Sequence, residues 1–236
     1  DMTGGTEGPK KAIAKLAGKH QLVVFADEIY DHMTYDDAEF VPMATLVHDT
    51  LCATLSGLSK VYRACGYRVG WAAFSGTREK AAEYLQGLEL LSSLRLCANV
   101  PGQWAVQTAL GGYQSIRDLV RPGGRLFQSR QAIIDSVARS EFLEVVAPRG
   151  ALYAFIGVRS DRLPEFDDQA FAMELLEQRH VLVAPGVSFN VPYRSHFRVT
   201  NLPTAEVLED VFGRIEEQLQ SQASSRGGRA ALKVVQ

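Results

Sequence analysis

The sequence predicts an α/β protein followed by a smaller α+β region, and two patterns carry that prediction. In the first half, three short continuous apolar runs, QLVVFAD (21–27), LCATLS (51–56) and VGWAAF (69–74), are separated by stretches long enough for helices. Runs of this kind, rich in branched and aromatic residues, belong to strands buried on both faces of a parallel sheet. In the second half, FLEVVAP, ALYAFIGV, HVLVAPG and HFRVT are strand-like, with DDQAFAMELLEQR and TAEVLEDVFGRIEEQLQ as helices between and after them.

Composition limits the function classes. The 236 residues are 46% hydrophobic and 22% charged, enough apolar side chain for one large or two small domain cores. A formal net charge of -2 gives no general attraction to nucleic acid or to anionic lipid, so neither is expected as a partner. Cys52, Cys65 and Cys97 have no CxxC or Cys/His spacing, so neither a disulfide framework nor a metal site is expected and a reducing cytoplasm fits. No apolar run approaches the roughly 20 residues of a membrane helix, and the start, DMTGGTEGPKK, lacks the apolar centre of a signal peptide.

Along the chain, PKKAIAKLAGK (9–19) places Ile13 and Leu16 on one helical face, with Pro9 where a first-turn proline is tolerated. Glu79 to Leu96 predicts one long helix, and a second is expected over 102–115 behind Pro101. The PGG at 122–124 punctuates the chain before the helix RLFQSRQAIIDSVARS. A domain junction is therefore placed near 122–126, giving a first domain over 1–125 and a second over 126–220. The polar stretch SQASSRGGR opens a tail over 221–236 that is expected to fray.

Several residues stand where chemistry is feasible, each with a plainer alternative. Asp27 ends a strand, where open α/β sheets place ligands, but Asp is also a favoured helix N-cap and Glu28 would support an anionic first turn. Tyr30 follows in FADEIYD. Lys60 lies just beyond LCATLS among small polar residues; a lysine there can do imine chemistry when burial or nearby positive charge favours its neutral form, and a solvated surface lysine is the alternative. Arg68, between Gly66 and Gly70, offers a bidentate fork to a phosphate or makes a surface ion pair, the role expected of Arg63. Arg198, inside HFRVTNLP, either binds a small anion or sits in a structural ion pair, and local sequence leaves the two equal. His32, His48 and His196 share no spacing that suggests a metal.

Taken together, FADEIYD, LSGLSKVYRACGYRVGW, GALYAF, VLVAPGVSF and HFRVTNLP occur in the order and approximate spacing of the fold-type-I pyridoxal-phosphate aminotransferases, class I/II, which the chain resembles. The stretch GLELLSSLRLCANVPGQWAVQTALGGYQSI with PGGRL is similar to the bacterial alanine aminotransferases. The resemblance implies a mostly parallel-sheet α/β domain with a small α+β domain after it. It further implies transfer of an amino group between alanine, or a similar small amino acid, and a 2-oxo acid such as 2-oxoglutarate.

Carried over residue by residue, it implies that Lys60 forms the internal aldimine with pyridoxal 5'-phosphate and moves the substrate proton. Asp27 would pair with the pyridine nitrogen, Tyr30 would bond the ring 3-oxygen, and Arg68 with Ser59 would hold the phosphate. Arg198 would clamp the substrate carboxylate. A homodimer is the form the family implies.

The chain departs from the family pattern in three places. Asp1 stands where members carry the Asn of NPTG, and Gly57 stands where many carry a phosphate-binding Ser, with Ser56 and Ser59 adjacent. The family's N-terminal half is not represented, so the expectation is that this polypeptide alone binds cofactor poorly. Two other readings follow from that gap: an aminotransferase-like effector domain of a transcription regulator, and an inactive relic.

Overall fold

In the computed structural model, which describes residues 7–77 and 79–233, the first helix, α1 (Glu7–His20), leads through a short turn into β1 (Val24–Asp27). Asp1 and its predicted place in the family pattern lie outside the described residues. The helix forms where the periodicity predicts, with Ala17 buried and Ile13 and Leu16 exposed. Small residues bring the helix close to its neighbours. A Cβ on Gly18 would already touch Asp49 at 3.3 Å, so the contact face is Ala14, Ala17 and Gly18.

The chain divides into two compact units, the first running to Val120 and including Arg149–Ala151, the second taking the remainder. In the first unit, β1 pairs in parallel with β2 (Leu51–Gly57), from Val24 opposite Cys52 to Asp27 opposite Leu55. β3 (Gly70–Gly76) pairs with β2 in antiparallel register, Gly57 facing Gly70 and Leu51 facing Gly76. The sheet is thus mixed, because a continuous apolar run specifies burial and not direction. Nor is β1 covered on both faces: Ala26 is buried, whereas Phe25 is 59% exposed.

Three helices complete this unit. The predicted helix from Glu79 begins as a short 3-10 turn (Glu79–Ala81) before α2 (Ala82–Arg95). The one predicted over 102–115 is α3 (Val100–Gly111), and a separate α4 (Ile116–Val120) follows. The break falls at Gly111 and Gly112, where Gly112 turns to extended backbone and its N–H donates to Thr108 O. The strap Arg149–Ala151 is tied to this unit by Tyr35, a fully buried side chain whose hydroxyl donates to Ala151 O at 3.0 Å. Backbone bonds from Ala151 N to Met33 O and from Tyr35 N to Arg149 O fix the same strap.

The second unit is a four-stranded antiparallel sheet in the order β4 (Leu143–Val145), β5 (Tyr153–Val158), β7 (His196–Thr200), β6 (Ala184–Pro185). Helices α5 (Arg125–Arg139), α6 (Asp168–Arg179) and α7 (Ala205–Lys233) accompany it. Ala154, Ile156 and Phe197 point into a core with Ile133, Phe171 and Leu175. Burying side chains of this size stabilises by about 1.5–3 kcal/mol each. Residues 153, 155, 196 and 198 alternate to the other face, which is only half-buried.

One expectation is corrected here. HVLVAPG yields a strand of two residues, and Pro185 has no N–H to continue the ladder beyond it. Of the tail placed over 221–236, residues 221–233 continue α7 and 234–236 lie outside the described residues.

Candidate active site

The mixed sheet of the first unit sends three loops off one edge. β1 and β2 are parallel, so the ends of both strands, Asp27 and Gly57, lie at the same edge; β3 runs opposite and begins there at Gly70. Asp27, Ser59, Lys60 and Arg68 therefore all leave the sheet at that edge, with Tyr30 three residues beyond Asp27.

No helix follows β1, and so Asp27 is not a helix cap. Its Oδ1 accepts the Ile29 N–H at 3.3 Å in a local turn and the carboxylate is otherwise exposed. Glu28, read from sequence as first-turn charge, is buried instead. Its Oε1 accepts the Met43 N–H at 2.7 Å while its own N–H donates to Leu55 O at 2.8 Å. Burial pushes the Glu28 carboxyl above the usual carboxylate range, against the opposing pull of the Met43 bond and of Lys10. Tyr30 is half-buried in the turn, where its carbonyl accepts from Met33 N.

Lys60 is held by a loop that closes on itself. Leu58, buried, bonds Val69 O through its N–H and accepts from Ala64 N, and the Lys60 carbonyl accepts from Arg63 N. The Lys60 side chain is half-buried, and no hydrogen bond or ion pair holds its amine among the described residues. Burial first and the Asp31 charge second push the hydroxyl of Tyr62, just beyond it, above the usual tyrosine value. Gly57, where the family pattern has Ser, leaves no room for a side chain. A Cβ there would lie 2.7 Å from Val69 O and 3.0 Å from the Cα of Gly70.

Arg68 ends a 3-10 turn with its backbone left-handed at φ 51, and its guanidinium is exposed, with one N–H on Cys65 O at 3.1 Å. The segment is anchored by two residues that the sequence reading did not single out. Asn99 caps α3 by accepting the Gly102 N–H at 3.2 Å, and its own amide donates to Tyr67 O at 2.8 Å. Gly102 lies against Val69, where a Cβ would come within 2.3 Å of the Val69 side chain. An Asn followed by Pro two residues on is an N-cap signal, but nothing local shows that the same amide reaches Tyr67. Arg63, expected in an ion pair, donates to the Ser115 hydroxyl.

Arg198 belongs to the second unit. On β7 it faces Phe155 of β5 directly, on the half-buried side of the sheet. Its guanidinium carbon lies 4.4 Å from the centre of the Tyr153 ring and 4.6 Å from that of Phe189. Among the described residues no carboxylate pairs with it. The ion-pair alternative for Arg198 therefore has no partner among the described residues. His196, two residues away, stacks on Phe155 at 5.0 Å, and burial lowers its pKa although Glu144 and Asp168 pull the other way. Among the described residues there is no cluster of three or more His, Cys, Asp or Glu arranged for a metal.

The sequence pattern of the family "Aminotransferase class I and II" matches residues 5–215. The chain belongs to that family. It is 46% identical over 197 residues to the glutamate-pyruvate aminotransferase AlaA of Escherichia coli K12, covering 84% of this chain and 49% of that protein. With an alanine aminotransferase of Mycobacterium tuberculosis H37Rv it shares 44% identity over 200 residues, 85% of this chain and 47% of that one. Among solved structures, an Escherichia coli aminotransferase superposes with a TM-score of 0.89 at 42% identity, covering 93% of this chain and 55% of the other. An alanine aminotransferase of Pyrococcus furiosus gives 0.84 at 30% identity, over 93% and 55%. The fold is that of the family, and the chain spans about half the length of the curated relatives it matches.

Proposed function

We propose that this chain carries the catalytic lysine of an aminotransferase that moves an amino group between alanine, or a similar small amino acid, and a 2-oxo acid such as 2-oxoglutarate. The cofactor in this reading is pyridoxal 5'-phosphate, which supplies a carbonyl carbon for amine chemistry and a ring that accepts electrons from the substrate α-carbon. The observation that carries the reading is Lys60: a half-buried amine held by no other side chain among the described residues, at the sheet edge that also carries Asp27 and Arg68.

The residues present fit the cofactor in charge. An amine, a carboxylate, a phenol and a guanidinium are the groups its carbonyl, ring nitrogen, 3-oxygen and phosphate require, and Lys60, Asp27, Tyr30 and Arg68 provide them in one unit.

In this account Lys60 Nζ would hold the cofactor's carbonyl carbon at rest and, once displaced by the substrate's amine, would take and return the proton of the substrate α-carbon. The Asp27 carboxylate would accept the N–H of the ring and keep it cationic. The Tyr30 hydroxyl would bond the 3-oxygen, and Arg68 would neutralise the phosphate, with the Ser59 hydroxyl as a further donor. Arg198 binds the substrate carboxylate through its N–H edge and so orients the α-hydrogen.

The names of the relatives, glutamate-pyruvate and alanine aminotransferase, support the substrate pair. A homodimer in the cytoplasm, with no nucleic-acid or membrane partner, completes the reading. Among the described residues no helix is long and apolar enough to cross a membrane. Initial rates of the full-length protein with alanine and 2-oxoglutarate test it. Parallel double-reciprocal lines are expected, because one substrate leaves before the other binds; converging lines or no turnover with any small amino acid would contradict the proposal.

A further inference from the structure

We propose that Tyr153 and Phe189 are positioning residues for Arg198: their rings hold the guanidinium between them and present only its N–H edge to a monocarboxylate. The inference rests on the reading of Arg198 as the carboxylate ligand and assigns what sets the strength of that site. A guanidinium is planar, with its donors in the plane and two weakly hydrated faces. Tyr153 and Phe189 stand at 4.4 and 4.6 Å from its carbon, within the range where a ring face attracts a cation. Such contacts stabilise the charge without neutralising it and use none of the N–H donors. An acidic partner would have taken both.

The clamp is built from separate elements and is itself braced. Tyr153 is the first residue of β5, and Phe155, directly opposite Arg198, meets the Phe189 ring edge-on at 5.7 Å and 85°. Phe189 closes the 3-10 turn Gly186–Phe189, which ends on Asn190 in left-handed backbone. The turn is pinned by Asp168, a fully buried carboxylate on α6 whose Oδ2 accepts the Val187 N–H at 2.7 Å. Gly186 sits so close to β7 that a Cβ on it would lie 2.7 Å from His196 O. Phe189 is therefore fixed in place although its ring is 36% exposed, more than core packing alone would leave. A side chain held before the ligand arrives loses less rotamer freedom on binding.

The test uses the full-length, cofactor-loaded protein and propionate, a carboxylate with no amino or oxo group. Calorimetry gives its dissociation constant, kinetics give KM and kcat for alanine and pyruvate, and thermal unfolding monitors the fold. Phe189→Leu and Tyr153→Leu are expected to weaken propionate binding and raise both KM values about 5- to 10-fold, with kcat within about twofold. Phe189→Tyr and Tyr153→Phe keep the rings and are expected to stay within about twofold of the parent. Leucine variants that bind propionate like the parent, or ring-retaining variants that lose as much as the leucine ones, would overturn the clamp. Arg198→Leu separates the two levels. If propionate binding survives that change, the carboxylate role of Arg198 fails; if it is lost there but unchanged in the leucine variants, only the clamp fails.

Discussion

Gly57 and Gly70 face each other across β2 and β3 so closely that neither can carry a side chain without backbone movement. A Cβ on Gly57 would come within 2.7 Å of Val69 O, and one on Gly70 within 2.9 Å of Ser56 O. Gly57→Ser, which restores the residue common in the family pattern, is therefore expected to destabilise by about 1–3 kcal/mol, the usual cost of overpacking. Denaturant unfolding checks the size. Because Leu58 and Lys60 follow directly, cofactor affinity is expected to fall in the same variant, not to rise.

Glu28 makes a prediction with a definite sign. Its folded-state pKa lies above the ordinary carboxylate value, chiefly through burial. The stability tied to its proton is thus fully present at low pH, below the unfolded pKa, and is lost as pH rises through the folded one. Glu28→Gln keeps an oxygen to accept the Met43 N–H and carries no charge. It is expected to unfold at a higher temperature than the parent near pH 7, with the difference vanishing near pH 4. Glu28→Leu, which leaves the buried Met43 N–H without its partner, is expected to cost about 1–3 kcal/mol.

Asn99 joins the start of α3 to the segment that carries Arg68. Asn99→Ala removes a helix cap and the bond to Tyr67 O together, and about 1–2 kcal/mol of stability should go with them. If the anchoring matters to Arg68, the affinity for pyridoxal phosphate drops as well, which equilibrium titration against the apoprotein measures. Asn99→Asp, which keeps the cap and loses the donor to Tyr67, isolates the second effect.

The helices of this chain were legible where apolar residues recur at helical spacing, as in α5 and α6, and the ordered motifs pointed to the family and hence to the fold. What local pattern could not carry was direction and partnership. VGWAAF reads as a buried strand whichever way it runs, and only pairing with β2 makes β3 antiparallel. Glu28 looked like helix-start charge because its acceptor role depends on Met43, 15 residues on. For Arg198 the local sequence leaves an ion pair and an anion ligand equal, and the rings of Tyr153 and Phe189, 4.4 and 4.6 Å from its guanidinium carbon, come from other elements that no local pattern brings to it. On α1, too, the spacing of Ile13 and Leu16 shows a helix but not which residues are covered: Ala17 is buried and Gly18 lies against Asp49.

The central claim is that Lys60 holds the cofactor. Borohydride reduction of the full-length protein loaded with pyridoxal phosphate fixes the label covalently to whichever amine carries it, and peptide mapping by mass spectrometry then locates that amine. The label is expected on Lys60, within the peptide bounded by the motif LSGLSKVYR, and to be absent from the Lys60→Ala variant. A label on another lysine, or one that persists undiminished in Lys60→Ala, would contradict the account.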